Sequence, residues 1–172
     1  EDTGEPMTPR QVLDEVTILF VAGHDTSANA LSWLFYLLSQ HPEITRKIQA
    51  EIQSVLGDRQ PNFTDLANLT YTKAAIEEAM RLYPPAWMTD RMAVADDEYQ
   101  GIHIPQGTYV LTYIYGVHHD ARHWIDPEAF RPERFLLDQS RERHSFAYIP
   151  FGGGPRLCIG NHFALMEMQL AV

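Results

Sequence analysis

The sequence predicts a mostly α-helical domain with a small β-sheet region. Three observations carry this: one very long helical pattern with marked ends, two further helical stretches bounded by proline or glycine, and a switch to alternating β-formers over residues 99–114. The long helix starts at Thr8, with Pro9 at the first helical position and Gln11 three residues after the cap, as a capping box requires. Its apolar pattern runs to Leu38, and His41-Pro42 closes it, because the residue before proline avoids helical dihedrals. That is a helix of roughly 30 residues, about 45 Å long. A helix apolar nearly all round is expected to be buried on most sides. Residues 16–38 are the nearest thing to a membrane span. His24, Asp25 and Asn29 interrupt them, and an acidic group at a helix centre costs about 2.5–3.5 kcal/mol on insertion scales. A buried helix is the better reading.

Pro42 opens a second helix over residues 42–56, with Glu43, Arg46, Lys47 and Glu51 on a solvated face and Gly57 after its end. Thr64-Asp65 begins one short turn. Thr70 is expected to cap a third helix over 71–83, stopped by Pro84-Pro85. Residues 99–104 and 109–114 alternate around Pro105-Gln106-Gly107, which predicts a hairpin between them. Residues 87–94 are a further candidate strand. Residues 118–150 read as long irregular chain, a kind of stretch that is usually functional or packed on something. Residues 151–156 form a glycine loop, and 159–172 are helical in pattern. No signal peptide, repeat or low-complexity tract is evident.

Composition narrows the function. The 172 residues have a hydrophobic fraction of 45% and a charged fraction of 21%, which excludes a disordered or collagen-like chain. A net charge of −10 argues against nucleic acid as a partner. One cysteine, Cys158, excludes an internal disulfide and a zinc site built on several cysteines. Any chemistry it performs is done alone, as nucleophile or metal ligand.

Four constellations could carry chemistry. In Phe151-Gly152-Gly153-Gly154-Pro155-Arg156-Leu157-Cys158-Ile159-Gly160, glycines bring backbone close to something, and the thiol stands at the opening of a helix with Arg156 just before it. A lone cysteine is commonly small, buried and inert, but loop, arginine and helix start together point the other way. A phosphate loop would end in Gly-Lys-Ser/Thr, which is missing. Ala22-Gly23-His24-Asp25-Thr26-Ser27 sets small residues, an acid and a hydroxyl inside an apolar helix. There threonine can bond the carbonyl one turn back and locally open the helix. The balance is even between a ligand-facing site and a satisfied polar cluster. In Glu77-Glu78-Ala79-Met80-Arg81 either glutamate can meet the arginine, and spacing does not choose. A solvated ion pair is the ordinary outcome. His118-His119-Asp120 with His123 could hold a metal, although turn histidines are the commoner case.

Together these segments resemble the cytochromes P-450, the haem-thiolate monooxygenases. The resemblance covers nearly all 172 residues and keeps the family's order: acid-threonine helix, Glu-x-x-Arg helix, Pro132-Glu133-Arg134-Phe135, then the cysteine loop. Phe151, Gly154, Arg156, Cys158 and Gly160 fill every position of the signature Phe-x-x-Gly-x-Arg-x-Cys-x-Gly. The match selects Glu78 over Glu77.

The resemblance implies the C-terminal part of the cytochrome P-450 fold. It would run from the long central helix to the helix after the cysteine loop, with the N-terminal half and the extreme C-terminus outside residues 1–172. It implies haem b, with Cys158 as proximal iron ligand in a loop that includes Phe151, Gly152 and Gly160 and aims backbone N–H groups at sulfur. Arg156, Arg91 and, third, His118 would meet haem propionates. Asp25 and Thr26 would be the catalytic pair that organises proton delivery to bound O2, with Ala22 and Gly23 leaving room beside the haem. Glu78, Arg81 and Arg134 would form a buried charged triad, where pairing and hydrogen bonding are obligatory. Ala86, Trp87 and Met88 would line the substrate pocket. The implied reaction inserts one atom of O2 into a small apolar substrate. Electrons would come from NAD(P)H through a donor protein, a ferredoxin or flavin reductase. Localisation is open, cytoplasmic if the parent is a soluble bacterial-type enzyme, and membrane association is undetermined. The competing readings are an inactive fragment or haem-binding module without turnover, and a cysteine hydrolase, which needs a base near Cys158.

Overall fold

The computed structural model describes residue 4, residues 6–136 and residues 143–172. The expected irregular stretch 118–150 thus lies partly outside the described residues. Helix α1, Pro9–Gln40, begins with the capping box: Thr8 Oγ1 accepts from Gln11 N–H while Gln11 Oε1 accepts from Thr8 N–H. It ends at His41, and α2, Pro42–Leu56, follows at once. Gly57, at φ 59°, terminates α2 where a side chain would be strained. A 3-10 turn over Phe63–Asn68 is capped by Asn62 rather than opened at Thr64.

Helix α3, Thr70–Leu82, is the centre of the core. Ala75, Ile76, Ala79, Met80 and Leu82 pack against Ala30, Leu34, Leu37 and Leu38 of α1, Ile44 and Ile48 of α2, Phe130, and Met168 of the last helix, α5. Small alanines on α3 let the neighbouring helices approach closely. Each large aliphatic side chain buried there contributes about 1.5–3 kcal/mol.

Thr70 is not a cap. It is the first helical residue, and the cap is supplied across the fold by Glu51 of α2. Its carboxylate accepts from Tyr71 N–H at 2.7 Å and Thr72 N–H at 2.8 Å, and from both threonine hydroxyls. A carboxylate at a helix N-terminus satisfies orphan donors and complements the dipole.

The predicted hairpin is corrected. Residues 99–104 are not one strand: β2, Asp97–Tyr99, and β3, Ile102–Ile104, pair with each other through Gln100-Gly101. Both turn residues have positive φ, as a two-residue hairpin turn demands. β4, Tyr109–Thr112, pairs antiparallel with β1, Thr89–Met92, so that Arg91 faces Val110. The turn at residues 105–108 exists, with Gly107 at φ 84°, but it carries the chain from one small sheet to the other. A five-residue helix α4, Ile114–His118, follows, then 3-10 turns over Pro132–Phe135, Ser145–Ala147 and Gly154–Arg156, and finally α5, Asn161–Ala171.

The long helix departs from expectation in one respect. Every residue of α1 before Ser27 is exposed, and the buried positions are Ser27, Ala30, Leu34, Leu37 and Leu38. Elements α2, α3 and α5 pack on α1, and every buried position of the helix lies from Ser27 onward. No described helix is long and apolar enough to cross a membrane.

Candidate functional site

The cysteine loop is pinned by its own backbone. Cys158 N–H donates to Phe151 O at 3.0 Å, Leu157 N–H to Gly154 O and Gly152 N–H to Ile149 O. Gly152 and Gly154 have φ of 75° and 68°, so the turns that bring the two ends of the loop together favour glycine at both places. Phe151 packs on the helical core, which anchors the loop from below. Cys158 does not itself open a helix. A turn at Ile159 and Gly160 intervenes, and α5 starts at Asn161 with Gly160 as its cap. A Cβ on Gly160 would sit 3.9 Å from Cys158 Sγ.

The thiol is free and exposed. Leu157, Ile159 and Phe163 beside it are exposed too, Ile159 at 93%. Arg156 is exposed, and no hydrogen bond or ion pair holds its guanidinium among the described residues. This donor set fits a flat apolar group with an anionic edge and a soft-ligand metal: thiolate for the metal, apolar surface for the face, guanidinium for the edge. Arg91 is exposed on β1 and folds back on its own strand, donating to Asp90 O at 2.5 Å and Thr89 Oγ1 at 3.3 Å.

Three of the expected charged residues meet. Glu78 and Arg81 have no exposure and Arg134 almost none. Arg81 Nε and Nη2 donate to the two Glu78 carboxylate oxygens at 2.7 and 2.9 Å. Arg134 Nε donates to Glu78 Oε1 at 3.1 Å, and Arg131 N–H to the same oxygen at 3.0 Å. The remaining guanidinium hydrogens find carbonyls: Arg81 Nη1 donates to His118 O, and Arg134 to Ile125 O and Asp126 O. The ion pair is therefore a buried cluster rather than a solvated pair. Glu77 lies outside it. Burial raises its carboxyl above the usual range, with Lys73 and Arg143 acting the other way.

Sequence reasoning missed the aromatic box around this cluster. Arg81 lies over the Trp124 ring at 4.9 Å, and Arg143 is sandwiched over Trp124 and Phe135 at 4.4 and 4.5 Å. Arg143 also donates to Arg134 O. Tyr148 stacks on His118 and donates its hydroxyl to Glu77 O. A tryptophan in an otherwise polar stretch was the one available signal; nothing local marks Arg143.

His118 is corrected on two counts. It has no exposed atom from which to reach a bound group. Its Nε2 accepts from Ile149 N–H at 2.9 Å, so the ring proton sits on Nδ1. Burial lowers its pKa to about 4, which makes it neutral at pH 7. The metal cluster does not form either: no group of three potential ligands exists among the described residues. Asp120 is held by Arg122, whose hydrogen bonds lower its pKa to about 2. His119 lies on Tyr115 and bonds its carbonyl.

On α1, Thr26 Oγ1 donates to Ala22 O at 2.7 Å, and the helix continues through that point without a break. Ala22, Gly23, Asp25 and Thr26 are all exposed, and a Cβ on Gly23 would meet nothing within 4 Å. Residues 22, 26, 29 and 33 recur on one helical stripe. Asn29 and Trp33 of that stripe line an open groove of about 320 Å³, completed by Tyr83, Pro84, Pro85, Trp87 and Tyr115. Of the three expected pocket residues only Trp87 lines it; Ala86 and Met88 are exposed beside it.

Comparison with known proteins finds relatives along the whole chain. The family model of cytochrome P450 matches residues 1–172. The chain is 42% identical over 171 residues to cyclooctat-9-en-7-ol 5-monooxygenase of Streptomyces melanosporofaciens, covering 99% of this chain and 37% of that protein. It is 37% identical to cyclooctatin synthase of the same organism, over all of this chain and 38% of the relative. It is also 38% identical to human cytochrome P450 4V2, over 97% of this chain and 32% of the relative. The chain thus spans 32–38% of the length of these relatives. With its cysteine loop, its buried charged cluster and this similarity along its whole length, the chain belongs to the cytochrome P450 family.

Proposed function

We propose that residues 1–172 are the haem-ligating part of a monooxygenase that inserts one atom of O2 into a small apolar substrate. The observation that carries this is the exposed Cys158 thiol, on a loop closed by the Cys158 N–H to Phe151 O bond and bordered by apolar side chains and the unpartnered Arg156. The haem, when bound, supplies the oxidation chemistry, and the protein supplies ligation, orientation and protons. Cys158 holds the iron, and Arg156 and Arg91 neutralise the propionates. Because the Thr26 hydroxyl proton is committed to Ala22 O, the Thr26 oxygen is left as an acceptor. It accepts one O–H of a water, leaving that water's other O–H to point toward the reaction site, and Asp25 beside it helps organise the water chain that delivers protons. Trp87 and the groove behind it select an apolar substrate. Electrons come from a ferredoxin or flavin reductase that draws on NAD(P)H. The two Streptomyces relatives bear names of a monooxygenase acting on cyclooctat-9-en-7-ol and of a cyclooctatin synthase, which favours an apolar, unsaturated alcohol as substrate class.

The test is the ferrous–CO spectrum of the intact protein. A thiolate-type band is expected, and Cys158→Ser should abolish it; an unchanged band in the variant would sink the ligand assignment. Thr26→Ala should leave electron consumption in place while product per electron falls at least several-fold. Full coupling in that variant would remove the threonine from proton delivery. A cysteine hydrolase predicts instead that an electrophile labels Cys158 equally with and without haem.

A second reading, a haem-binding or inert piece without turnover, has one observation in its favour for residues 1–172 taken alone. The first half of α1 is exposed along its apolar face, and an open site does not exclude water. Haem binding without product by residues 1–172, alongside turnover by the intact protein, is the result that reading predicts.

A further inference from the structure

We propose that His118 is a positioning residue that holds the cysteine loop at a fixed height relative to the charged cluster; this rests on reading Cys158 as the haem ligand. His118 lies at the end of α4 with nothing exposed. Its two polar ends face opposite parts of the site. The backbone carbonyl accepts from Arg81 Nη1 at 2.8 Å, and ring Nε2 accepts from Ile149 N–H at 2.9 Å. Ile149 O in turn accepts from Gly152 N–H, and Phe151 O accepts from Cys158 N–H. A continuous line of hydrogen bonds and short backbone links therefore runs from Arg81 through one imidazole to the thiol.

The choice of side chain supports a positioning role over simple filling. His118 Nδ1 is buried with no hydrogen bond of good geometry, only backbone groups of Met80 and Arg81 against it, a cost that phenylalanine or leucine would avoid. What the imidazole alone combines is a flat face against Tyr148, at 5.3 Å between ring centroids, and an acceptor at the Nε2 position. Its neutral form is the only one that can accept, and burial keeps it neutral at pH 7.

The experiment compares His118→Gln, His118→Asn and His118→Phe in the intact, haem-loaded protein. Glutamine places an acceptor near the Nε2 position, asparagine only near Nδ1, and phenylalanine keeps the stacking ring without an acceptor. The readout is the ratio of thiolate-type to thiol-type ferrous–CO bands, with Leu37→Ala as a control that destabilises the core away from the loop. His118→Gln should keep the ratio within about twofold of wild type, as should Leu37→Ala. His118→Asn and His118→Phe should each raise the thiol-type share at least threefold. If phenylalanine prevents folding, the glutamine and asparagine pair decides. Wild-type ratios in both variants that lack an acceptor at the Nε2 position would overturn the positioning role while leaving the ligand reading intact. A wild-type protein with no thiolate-type band would overturn the ligand reading, and the proposal with it.

Discussion

Glu78 shows how much depends on one carboxylate. It balances two guanidiniums, both nearly without solvent, and accepts from four donors. Removing one partner of a buried ion pair leaves an uncompensated charge and costs about 3–5 kcal/mol. Glu78→Gln is therefore expected to lower the unfolding free energy in urea strongly, whereas Glu77→Gln, outside the cluster, should lower it by less than about 1 kcal/mol. Comparable losses in both would contradict the assignment of Glu78 as the hub. His118 makes a second prediction, with a definite sign. Its pKa falls from 6.5 unfolded to about 4 folded, so the unfolded chain binds the proton first. The stability from neutral His118 is complete above pH 6.5 and is lost as pH falls toward 4, with a slope of up to about 1.4 kcal/mol per pH unit. Chemical denaturation between pH 7 and 4 should show that slope, and His118→Gln should flatten it. A parallel pH dependence in the variant would mean that other groups carry the effect.

At the scale of elements, what was legible in the sequence is what is encoded locally. The capping box at Thr8, the His41-Pro42 break and Gly57 place α1 and α2 because each signal acts within four residues of the end it marks. The cap of α3 was not legible, since Glu51 acts from twenty residues away and only after α2 and α3 have packed. Strand pairing failed for the same reason. β4 joins β1 about twenty residues earlier, while Gln100-Gly101 makes a hairpin too short to stand out against the proline-glycine turn beside it. In the site, Cys158 stood out through its dense loop motif and the Glu78 cluster was named only through the family resemblance, whereas Arg143 and Trp124 enter it only through tertiary packing. The remote cap makes its own prediction. Glu51→Ala removes acceptors from two helical N–H groups and two hydroxyls, and should cost about 1–2 kcal/mol in equilibrium denaturation. Asp65, which serves the preceding turn and Arg59, should not compensate. A loss below a few tenths of a kcal/mol would show that water replaces the carboxylate at no cost.

Across the whole molecule, α1 divides into two halves with different neighbours. From Ser27 onward one face is locked into the core by Leu34, Leu37 and Leu38. Before it, Val12, Val16, Leu19, Phe20 and Val21 expose apolar surface that the described elements do not cover. Several large apolar side chains exposed on one stretch of helix are the kind of surface that meets something else, and the helix is too polar at Asp14, Glu15 and Asp25 to be a span. The segment Ala22-Gly23-His24-Asp25-Thr26 sits at the junction, ordered from one side by the core and open on the other. That placement has a measurable consequence for residues 1–172 expressed by themselves. Helical hydrogen bonds in the N-terminal half are held by capping and propensity alone, and an isolated helix of that length is marginal in water. Those in the C-terminal half open only with the core. Amide hydrogen exchange should therefore be at least about a hundredfold faster over residues 12–24 than over residues 30–38, and the difference should shrink in the intact, haem-loaded protein. Equal protection of the two halves in the short chain would mean that capping and helix propensity suffice to hold α1, and that the junction at Ser27 has no energetic meaning.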